Sequence, residues 1–241
     1  DAKGERAGGE WRVERQRLSW DILDAFGAAA QQAGIPATDD FNCGSNEGVG
    51  YFEVNQRRGV RWNAKQADFM RDKYIAISPD QGKLLYLLAR SLNAKTIVEF
   101  GTSFGISTIY LACAARDNGG GKVVGTELVP AKAAQARQNI AEAGLSEFVE
   151  IREGNALETL RDFGGSIDLL LNDGFPVYQL DVLKLLHPFI RPGGIVITDN
   201  VGLFREDMKP YVEFLRNPAN GYRSTTLALN EDPEMAVRVA A

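Results

Sequence analysis

A carboxylate followed by a glycine turn is the feature of this chain best suited to ligand binding. In TIVEFGTSFGISTIY, residues 96–110, Glu99 ends an apolar run typical of a β-strand, and Gly101 and Gly105 lead into a helix. Glycine lets the backbone approach a ligand, and the first N–H groups of a helix lack intrahelical partners. A dinucleotide pyrophosphate requires G-x-G-x-x-G, whereas this turn is G-x-x-x-G behind an acid that repels phosphate. The segment therefore predicts a nucleoside-cofactor site that favours a cationic or amino-bearing ligand.

Polar residues also stand at the ends of the other predicted strands. Ligands of helix-covered parallel sheets bind outside the carboxyl ends of the strands, so we expect these side chains to meet in one crevice. Glu127 stands where a ribose diol would find a bidentate acceptor, although an acid ahead of Pro130 also suits the start of a helix. Combined with the glycine turn, the ligand interpretation is favoured. The polar strand ends are Glu99, Glu127, Asn155, Asp173, Asp199 and Asn200.

Two carboxylates and an amide oxygen at neighbouring strand ends suit a hard divalent cation. Asp173 follows one predicted strand, and Asp199 and Asn200 follow the next. Such oxygens bind Mg²⁺, Ca²⁺ or Mn²⁺ and leave positions for water and substrate. Asp173-Gly174 and Asp199-Asn200 are also common turn formers, and each dipeptide alone favours a turn. His187, the only histidine, is predicted to be structural, and the supply of His and Cys excludes a zinc site.

Composition limits the classes to which the chain can belong. Its 241 residues are 44% hydrophobic and 24% charged, with a net charge of −5. This acidic balance argues against a nucleic-acid partner, which requires concentrated Lys and Arg. No apolar run approaches the roughly 20 residues of a membrane span, so no membrane partner is expected. Two cysteines, Cys43 and Cys113, are too few for a disulfide framework and predict a reducing, cytoplasmic location.

The chain changes character near residue 70. Residues 1–69 are polar and rich in Arg and Gly, with one predicted helix at 19–33, and form an atypical extension, either fused or flexible. Residues 70–241 alternate strands and helices, which predicts an α/β fold with a doubly wound, mostly parallel seven-stranded sheet and an antiparallel edge hairpin. The predicted strands are 96–100, 122–127, 148–152, 167–172, 194–199, 222–229 and 235–239, and the predicted helices are 80–91, 106–116, 130–143, 156–162, 178–190 and 205–216.

Residues 70–241 resemble the class I S-adenosylmethionine-dependent methyltransferases, which have a Rossmann-like fold, and among them the metal-dependent O-methyltransferases of the catechol and caffeoyl-CoA type. The segments that carry the resemblance are Ser78-Pro-Asp-Gln-Gly82, Val98-Glu-Phe-Gly-Thr-Ser-Phe-Gly-Ile-Ser107, Gly125-Thr-Glu127, Gly154-Asn-Ala156, Asn172-Asp-Gly174 and Arg191-Pro-Gly-Gly-Ile-Val-Ile-Thr-Asp-Asn-Val201. The resemblance implies methyl transfer from S-adenosyl-L-methionine to a hydroxyl of a small catechol-like or phenolic acceptor. It also implies a divalent metal, with Mg²⁺ preferred. The alternatives are a nucleotide-binding Rossmann-like dehydrogenase and a non-catalytic binding module, which explain only the turn and Glu127.

The same resemblance implies roles for individual residues. Glu99 would receive the ammonium of the cofactor's methionine part, and Glu127 would hold the ribose hydroxyls. Asp173 would be the catalytic residue and would bind the metal together with Asp199 and Asn200. The implied cofactor-binding residues are Ile77, Glu99, Gly101, Thr102, Ser103, Ser107, Glu127, Asn155, Ala156 and Asp173.

The chain departs from the family pattern at two places. Where the family usually has a lysine thought to help take the proton, this chain has Pro176, and the usual tyrosine is displaced to Tyr178. A second resemblance is carried by Gly34-Ile-Pro36, Asp39-Asp-Phe-Asn42, Glu47-Gly-Val-Gly50 and Arg57-Arg-Gly-Val-Arg-Trp-Asn-Ala64. With these segments, residues 20–69 resemble an internal piece of a glucose-methanol-choline oxidoreductase. The piece lacks both the flavin-binding motif and the catalytic histidine region, so no oxidation follows. In the methyltransferase family, the place of this segment is taken by helices that cover the substrate and build a dimer. A homodimer is therefore possible for this chain.

Overall fold

The structure, a computed structural model, describes residues 76–229 and 231–239, together with the isolated residues Gln31 and Ala37. Gln31 is helical and falls within the predicted helix 19–33, whose other residues lie outside the described ones. The predictions for that helix are therefore untested beyond this one position.

The chain divides into two units, Asp1–Ala67 and Asp68–Ala241, and the fold described below belongs to the second. The segment at 20–69, for which the sequence predicts a resemblance to an oxidoreductase, lies outside the described residues, apart from the two isolated positions. The predicted division of the chain near residue 70, and the nature of the extension, stay predictions.

Seven strands of the described region form one sheet. They are β1 (Thr96–Phe100), β2 (Lys122–Glu127), β3 (Val149–Glu153), β4 (Ile167–Asn172), β5 (Ile190–Thr198), β6 (Tyr222–Thr226) and β7 (Glu234–Arg238). Their order across the sheet is β3-β2-β1-β4-β5-β7-β6. Strands β1 to β5 are parallel, and β7 runs antiparallel to both β5 and β6. The predicted mostly parallel sheet with an antiparallel edge hairpin is confirmed.

Helices pack on both faces of the sheet. They are α1 (Pro79–Ser91), α2 (Ile106–Asp117), α3 (Pro130–Glu142), α4 (Ala156–Thr159), α5 (Pro176–Leu186) and α6 (Arg205–Arg216). Proline stands in the first turn of α1, α3 and α5, where its fixed φ suits a helix and its missing N–H costs no hydrogen bond.

Alternation along the strands divides the core into two clusters. Val98 and Leu170 face one cluster, which includes residues of α5 and α6, whereas Ile97 and Leu169 face the other, which includes residues of α1, α2 and α3. Successive strand residues point to opposite faces, so neighbouring residues of a strand meet different helices. This rule also places the polar residues at the strand ends.

Most predicted element bounds agree with the structure within one residue, and four elements differ by more. β5 begins at Ile190 rather than at residue 194, because Ile190 already pairs with Ile167 across a register shift. α5 begins at Pro176, since proline favours the first helical turn, and ends at Leu186, where a 3-10 turn follows. α4 ends at residue 159 rather than 162, and β6 ends at residue 226 rather than 229.

Candidate functional site

The glycine turn between β1 and α2 has the geometry that the sequence predicts. Gly101 and Gly105 have φ values of +95° and +86°, which L side chains rarely adopt. A Cβ atom at Gly101 would lie 2.7 Å from the carbonyl oxygen of Asp173. The N–H of Asp173 donates to the carbonyl oxygen of Phe100 at 2.9 Å. Glycine at residue 101 therefore allows the turns after β1 and β4 to touch.

Glu99 is fully buried at the end of β1. Its Oε2 accepts hydrogen bonds from the hydroxyls of Thr102 at 2.8 Å and Thr108 at 2.5 Å. Its Oε1 has no hydrogen-bond partner within the described part of the chain. Burial raises the pKa of the Glu99 carboxyl more than the nearby hydroxyls lower it, and the charge of Glu127 adds to the rise. A cation beside Oε1 would stabilise the ionised form of this carboxyl.

Glu127 ends β2 and is held by the backbone on both sides. Its Oε2 accepts the N–H of Ser103 and its Oε1 accepts the N–H of Val129, each at 2.8 Å. The N–H of Gly154 donates to the carbonyl oxygen of Glu127 at 2.9 Å. Glu127 thus links the turn after β1 with the loops after β2 and β3.

One pocket contains most of the residues for which a cofactor role is predicted. Glu99 lies beneath it, bonded to the pocket residue Thr102. α2 begins at this pocket without a side-chain cap, which leaves its first N–H groups available. Asn155 and Ala156 are not among the lining residues, and Asn155 caps α4 by accepting the N–H of Leu157 at 3.0 Å. The predicted residues that line the pocket are Ile77, Gly101, Thr102, Ser103, Ser107 and Asp173.

The three residues predicted to bind a metal stand at the ends of two paired strands. Asn172 of β4 pairs with Thr198 of β5, so Asp173 and Asp199 follow at the same level of the sheet. Asn200 Nδ2 donates to Asp173 Oδ1 at 3.0 Å. Asn200 has a φ of +65°, which asparagine tolerates in turns. The structure therefore brings Asp173 and Asn200 together, and Asn200 leads into a turn at residues 201–204.

The chemistry of this donor set fits a hard divalent cation. Carboxylate and amide oxygens are the ligands that Mg²⁺ accepts, with water completing the coordination. The Asn200 amide would turn by half a rotation to present Oδ1, since the two orientations of an amide are set by its partners. Across the described ranges, no group of three or more His, Cys, Asp or Glu side chains is placed to hold a metal. A cation would therefore depend on Asn200 and water in addition to the carboxylates.

Gln81 joins the site from α1, and the sequence alone gave it no individual role. Its Oε1 accepts the N–H of Ser78 at 2.8 Å, and its Nε2 donates to Asp199 Oδ1 at 2.8 Å. Ser78 Oγ accepts the N–H of Gln81 in return, which completes a capping box. The S-x-x-Q spacing is a signal for the capping box, but no sequence pattern indicates the bond to Asp199.

Large apolar side chains are exposed after the carboxyl ends of β2 and β4. Leu128, directly after β2, is 68% exposed, and Phe175, Val177 and Tyr178 after β4 are 39%, 54% and 51% exposed. Contiguous exposed apolar side chains mark binding surfaces more often than isolated ones do. Leu128 and Phe175 were not predicted from the sequence, because residue type alone does not reveal exposure.

Other residues singled out from the sequence lie away from the pocket. His187 Nδ1 lies 2.9 Å from the hydroxyl of Tyr222, near the amino end of β5. This end of the sheet is opposite to the pocket, which supports a structural role for His187. Cys113 is a free cysteine. Among the helices of the described region, none is long and apolar enough to cross a membrane.

The strand order, the glycine turn after β1 and the polar strand ends together define a Rossmann-like fold. Residues 98–201 match a family model described as a methyltransferase domain. This match covers the strand-end residues from Glu99 to Asn200.

Curated proteins are similar to about half of the chain. The catechol O-methyltransferase of Niastella koreensis is 37% identical over 131 residues, which cover 53% of this chain and 58% of that protein. The catechol O-methyltransferase of Mycobacterium tuberculosis is 38% identical over 128 residues, which cover 53% of this chain and 57% of that protein. The chain thus spans little more than half the length of these curated relatives.

The fold also matches solved structures. The O-methyltransferase from Bacillus cereus, crystallised in complex with SAH, superposes with a TM-score of 0.61 at 24% identity and covers 93% of each chain. At this identity the likeness concerns the fold.

Proposed function

We propose that this chain is an S-adenosyl-L-methionine-dependent O-methyltransferase that methylates a hydroxyl of a small catechol-like or phenolic molecule with the help of a divalent metal, Mg²⁺ in the first place. The observation that carries the proposal is Glu99, which is fully buried beneath a pocket. Its Oε1 has no hydrogen-bond partner among the described residues. A buried carboxylate of this kind favours a cationic ligand. The methyltransferase-domain match and the two catechol O-methyltransferases support the same reaction.

The cofactor would occupy the pocket beside the glycine turn. Glu99 would bind its ammonium group, and Ser107 with the uncapped start of α2 would bind its carboxylate. Glu127 would accept the ribose hydroxyls, since a carboxylate oxygen that holds one N–H can accept a further hydrogen bond. Asn155 and Ala156, together with the exposed Leu128, would border the adenine.

The acceptor would lie beside Asp173 on the exposed side chains of Phe175 and Tyr178. A flat aromatic surface suits a phenolic ring. Bound S-adenosylmethionine supplies a methyl group already activated by its positive sulfur, so the chain must chiefly align the acceptor oxygen.

Asp173, Asp199 and Asn200 would hold the divalent ion, which would lower the pKa of the acceptor hydroxyl and fix its direction. Pro176 stands in the first turn of α5, at the place where the family usually has a lysine. We therefore infer that the proton of the acceptor leaves to water. The small catechol-like or phenolic acceptor is part of this proposal. So are a homodimer, a cytoplasmic location and a role of residues 20–69 in covering the substrate.

A nucleotide-binding dehydrogenase is the second candidate, favoured by Glu127 at the end of β2. The buried acid before the turn disfavours it, because a pyrophosphate would meet negative charge there. Calorimetry with S-adenosylhomocysteine and with NAD separates the two: our proposal expects binding of the first ligand only.

The reaction is tested with methyl-labelled S-adenosylmethionine, a panel of catechols and phenols, and Mg²⁺ or EDTA. We expect label on an acceptor hydroxyl, loss of transfer with EDTA and recovery with excess Mg²⁺. Asp173→Asn should lose most activity, whereas Asp181→Asn, an exposed carboxylate on α5, should retain it. Transfer unchanged by EDTA would refute the metal's role, and failure to bind S-adenosylhomocysteine would refute the proposal as a whole.

A further inference from the structure

We propose that Tyr211 is a positioning residue whose buried hydroxyl fixes the spacing between the ends of β4 and β5, and with it the placement of the carboxylates of Asp173 and Asp199. The part of this inference that concerns a metal rests on the proposed function. The part that concerns the strand ends does not.

The hydroxyl of Tyr211 lies between the side chains of two paired strand residues. Tyr211 belongs to α6 and is 1% exposed. Its hydroxyl accepts a hydrogen bond from Asn172 Nδ2 at 3.2 Å and shares one with Thr198 Oγ1 at 2.5 Å. Asn172 and Thr198 are register partners in β4 and β5. One hydroxyl therefore connects the last residues of both strands.

The residues that follow these two are the proposed metal ligands. Asp173 comes directly after Asn172, and Asp199 comes directly after Thr198. By strand alternation, the side chains of Asn172 and Thr198 face α6, whereas Asp199 faces α1, where Gln81 binds it. The hydroxyl thus acts from the helix layer opposite to the site, through the backbone of the adjacent residues.

The same network also reaches the far side of Asp173. Asn172 Nδ2 donates to the carbonyl oxygen of Gln179 at 3.0 Å, and Gln179 Nε2 donates to the carbonyl oxygen of Gly174 at 3.0 Å. The residues before and after Asp173 are therefore both tied to one buried set of side chains. Asn172 and Gln179 are fully buried.

Simple filling of the core does not account for this hydroxyl. Phenylalanine would fill nearly the same space, and burying a hydroxyl costs free energy unless it is hydrogen-bonded. Burial raises the pKa of the Tyr211 hydroxyl, so it keeps its proton and can serve as both donor and acceptor. The group is therefore suited to holding Asn172 and Thr198 at a fixed separation.

Tyr222 offers a matched control at the opposite end of the sheet. It is also 1% exposed, and its hydroxyl lies 2.9 Å from His187 Nδ1. Tyr222→Phe deletes the same atom from an equally buried ring, far from the strand ends that carry Asp173 and Asp199. A purely structural effect should be similar in the two variants.

The experiment compares Tyr211→Phe and Tyr222→Phe with the wild-type chain, with bound S-adenosylhomocysteine. Mg²⁺ affinity is measured by calorimetry, and hydrogen exchange at the amides of Asp173 and Asp199 by NMR. We expect Tyr211→Phe to weaken Mg²⁺ binding roughly tenfold, a size typical of residues that orient metal ligands, and to speed exchange at both amides. Tyr222→Phe should leave both quantities unchanged, even if it lowers the melting temperature equally.

A second pair of variants covers the case in which Tyr211→Phe fails to fold. Thr198→Val removes the other end of the hydrogen bond at nearly constant volume and should reproduce the effect, whereas Thr198→Ser keeps the hydroxyl and should restore wild-type behaviour. Unchanged exchange at Asp173 and Asp199 in Tyr211→Phe or Thr198→Val would overturn the inference. If the wild-type chain binds no Mg²⁺, the metal part of the proposed function fails, and amide exchange alone decides the role of Tyr211.

Discussion

Gln81 Nε2 donates a hydrogen bond of 2.8 Å to Asp199 Oδ1, which joins the first turn of α1 to the end of β5 across 118 positions of sequence. The backbone N–H of Ser78, which donates to Gln81 Oε1, orients the amide for this bond. A residue that begins a helix therefore also holds a proposed metal ligand, and the two tasks can be separated by mutation.

Gln81→Ala should weaken Mg²⁺ binding, because Asp199 loses a donor that fixes its carboxylate. The expected loss of Mg²⁺ affinity is roughly tenfold, as for other residues that orient ligands, measured by calorimetry. Ser78→Ala is the control, since it removes the capping oxygen, at a cost of about 1 kcal/mol, and leaves the bond to Asp199 intact. Equal Mg²⁺ affinity in the two variants would show that the bond to Asp199 does not matter for metal binding.

Glu99→Gln should stabilise the ligand-free chain at neutral pH. The pKa of Glu99 is raised by burial, so ionisation of this carboxyl destabilises the folded state. For the wild-type chain, the contribution of Glu99 to stability should therefore improve as pH falls through its raised pKa. Thermal unfolding as a function of pH should show this trend in the wild-type chain relative to the variant, whose neutral amide does not titrate.

Glu234 provides the opposite case for comparison. Although burial alone would raise the pKa of Glu234, its hydrogen bonds with Arg216, Thr226 and Ser224 hold the pKa below the usual value. Its stabilising effect is present above the usual carboxyl pKa and is lost as pH falls, so Glu234→Gln should destabilise the chain at neutral pH. If both substitutions shift the melting temperature in the same direction, our account of Glu99 is wrong.

Gly101→Ala should destabilise the chain by clearly more than the positive φ of residue 101 alone would cause. A Cβ atom there meets the Asp173 carbonyl oxygen at 2.7 Å, whereas a Cβ atom at Gly120, which has a similar φ of +100°, meets nothing within 4 Å. Gly120→Ala should lose about 1 to 2 kcal/mol of stability from the left-handed conformation, and Gly101→Ala clearly more. Denaturant unfolding measures both, and similar losses would exclude the close contact as the cause.

Glu127→Ala should weaken binding of S-adenosylhomocysteine by roughly tenfold or more, because a charged hydrogen-bond acceptor contributes about 1.5 to 3 kcal/mol. Glu153→Ala is the control: Glu153 is the register partner of Glu127 at the end of β3 and pairs with Arg137. Calorimetry should find the affinity of this variant close to that of the wild type. A loss of the same size in both variants would argue for a general charge effect.

The sequence sufficed for the fold because strand and helix periods alternate clearly between β1 and β5, and because glycine and proline mark the turns. It misplaced the start of β5, since Pro192 and Gly193 are typical of loops, and only pairing with β4 recruits this stretch into the sheet. Local pattern cannot show such a tertiary effect.

The site was predictable to the extent that function depends on strand ends. Parallel strands bring their carboxyl ends together, which places Gly101 and Asp173 side by side, whereas Ile77 and Ser107 were implied by the family resemblance. In all, six of the named residues line one pocket. Gln81 and Tyr211 were not predictable in this way, because each acts through a contact between distant elements. Their residue types are ordinary for helices, and only the packing of α1 and α6 gives them a role.

Glu127 already holds the N–H groups of Ser103 and Val129 with both carboxylate oxygens. The rim of the pocket is thus ordered before a nucleoside binds, so binding costs little conformational entropy of these residues. A preformed site of this kind cannot rearrange to compensate for missing ligand groups. An analogue without ribose hydroxyls should therefore dissociate faster.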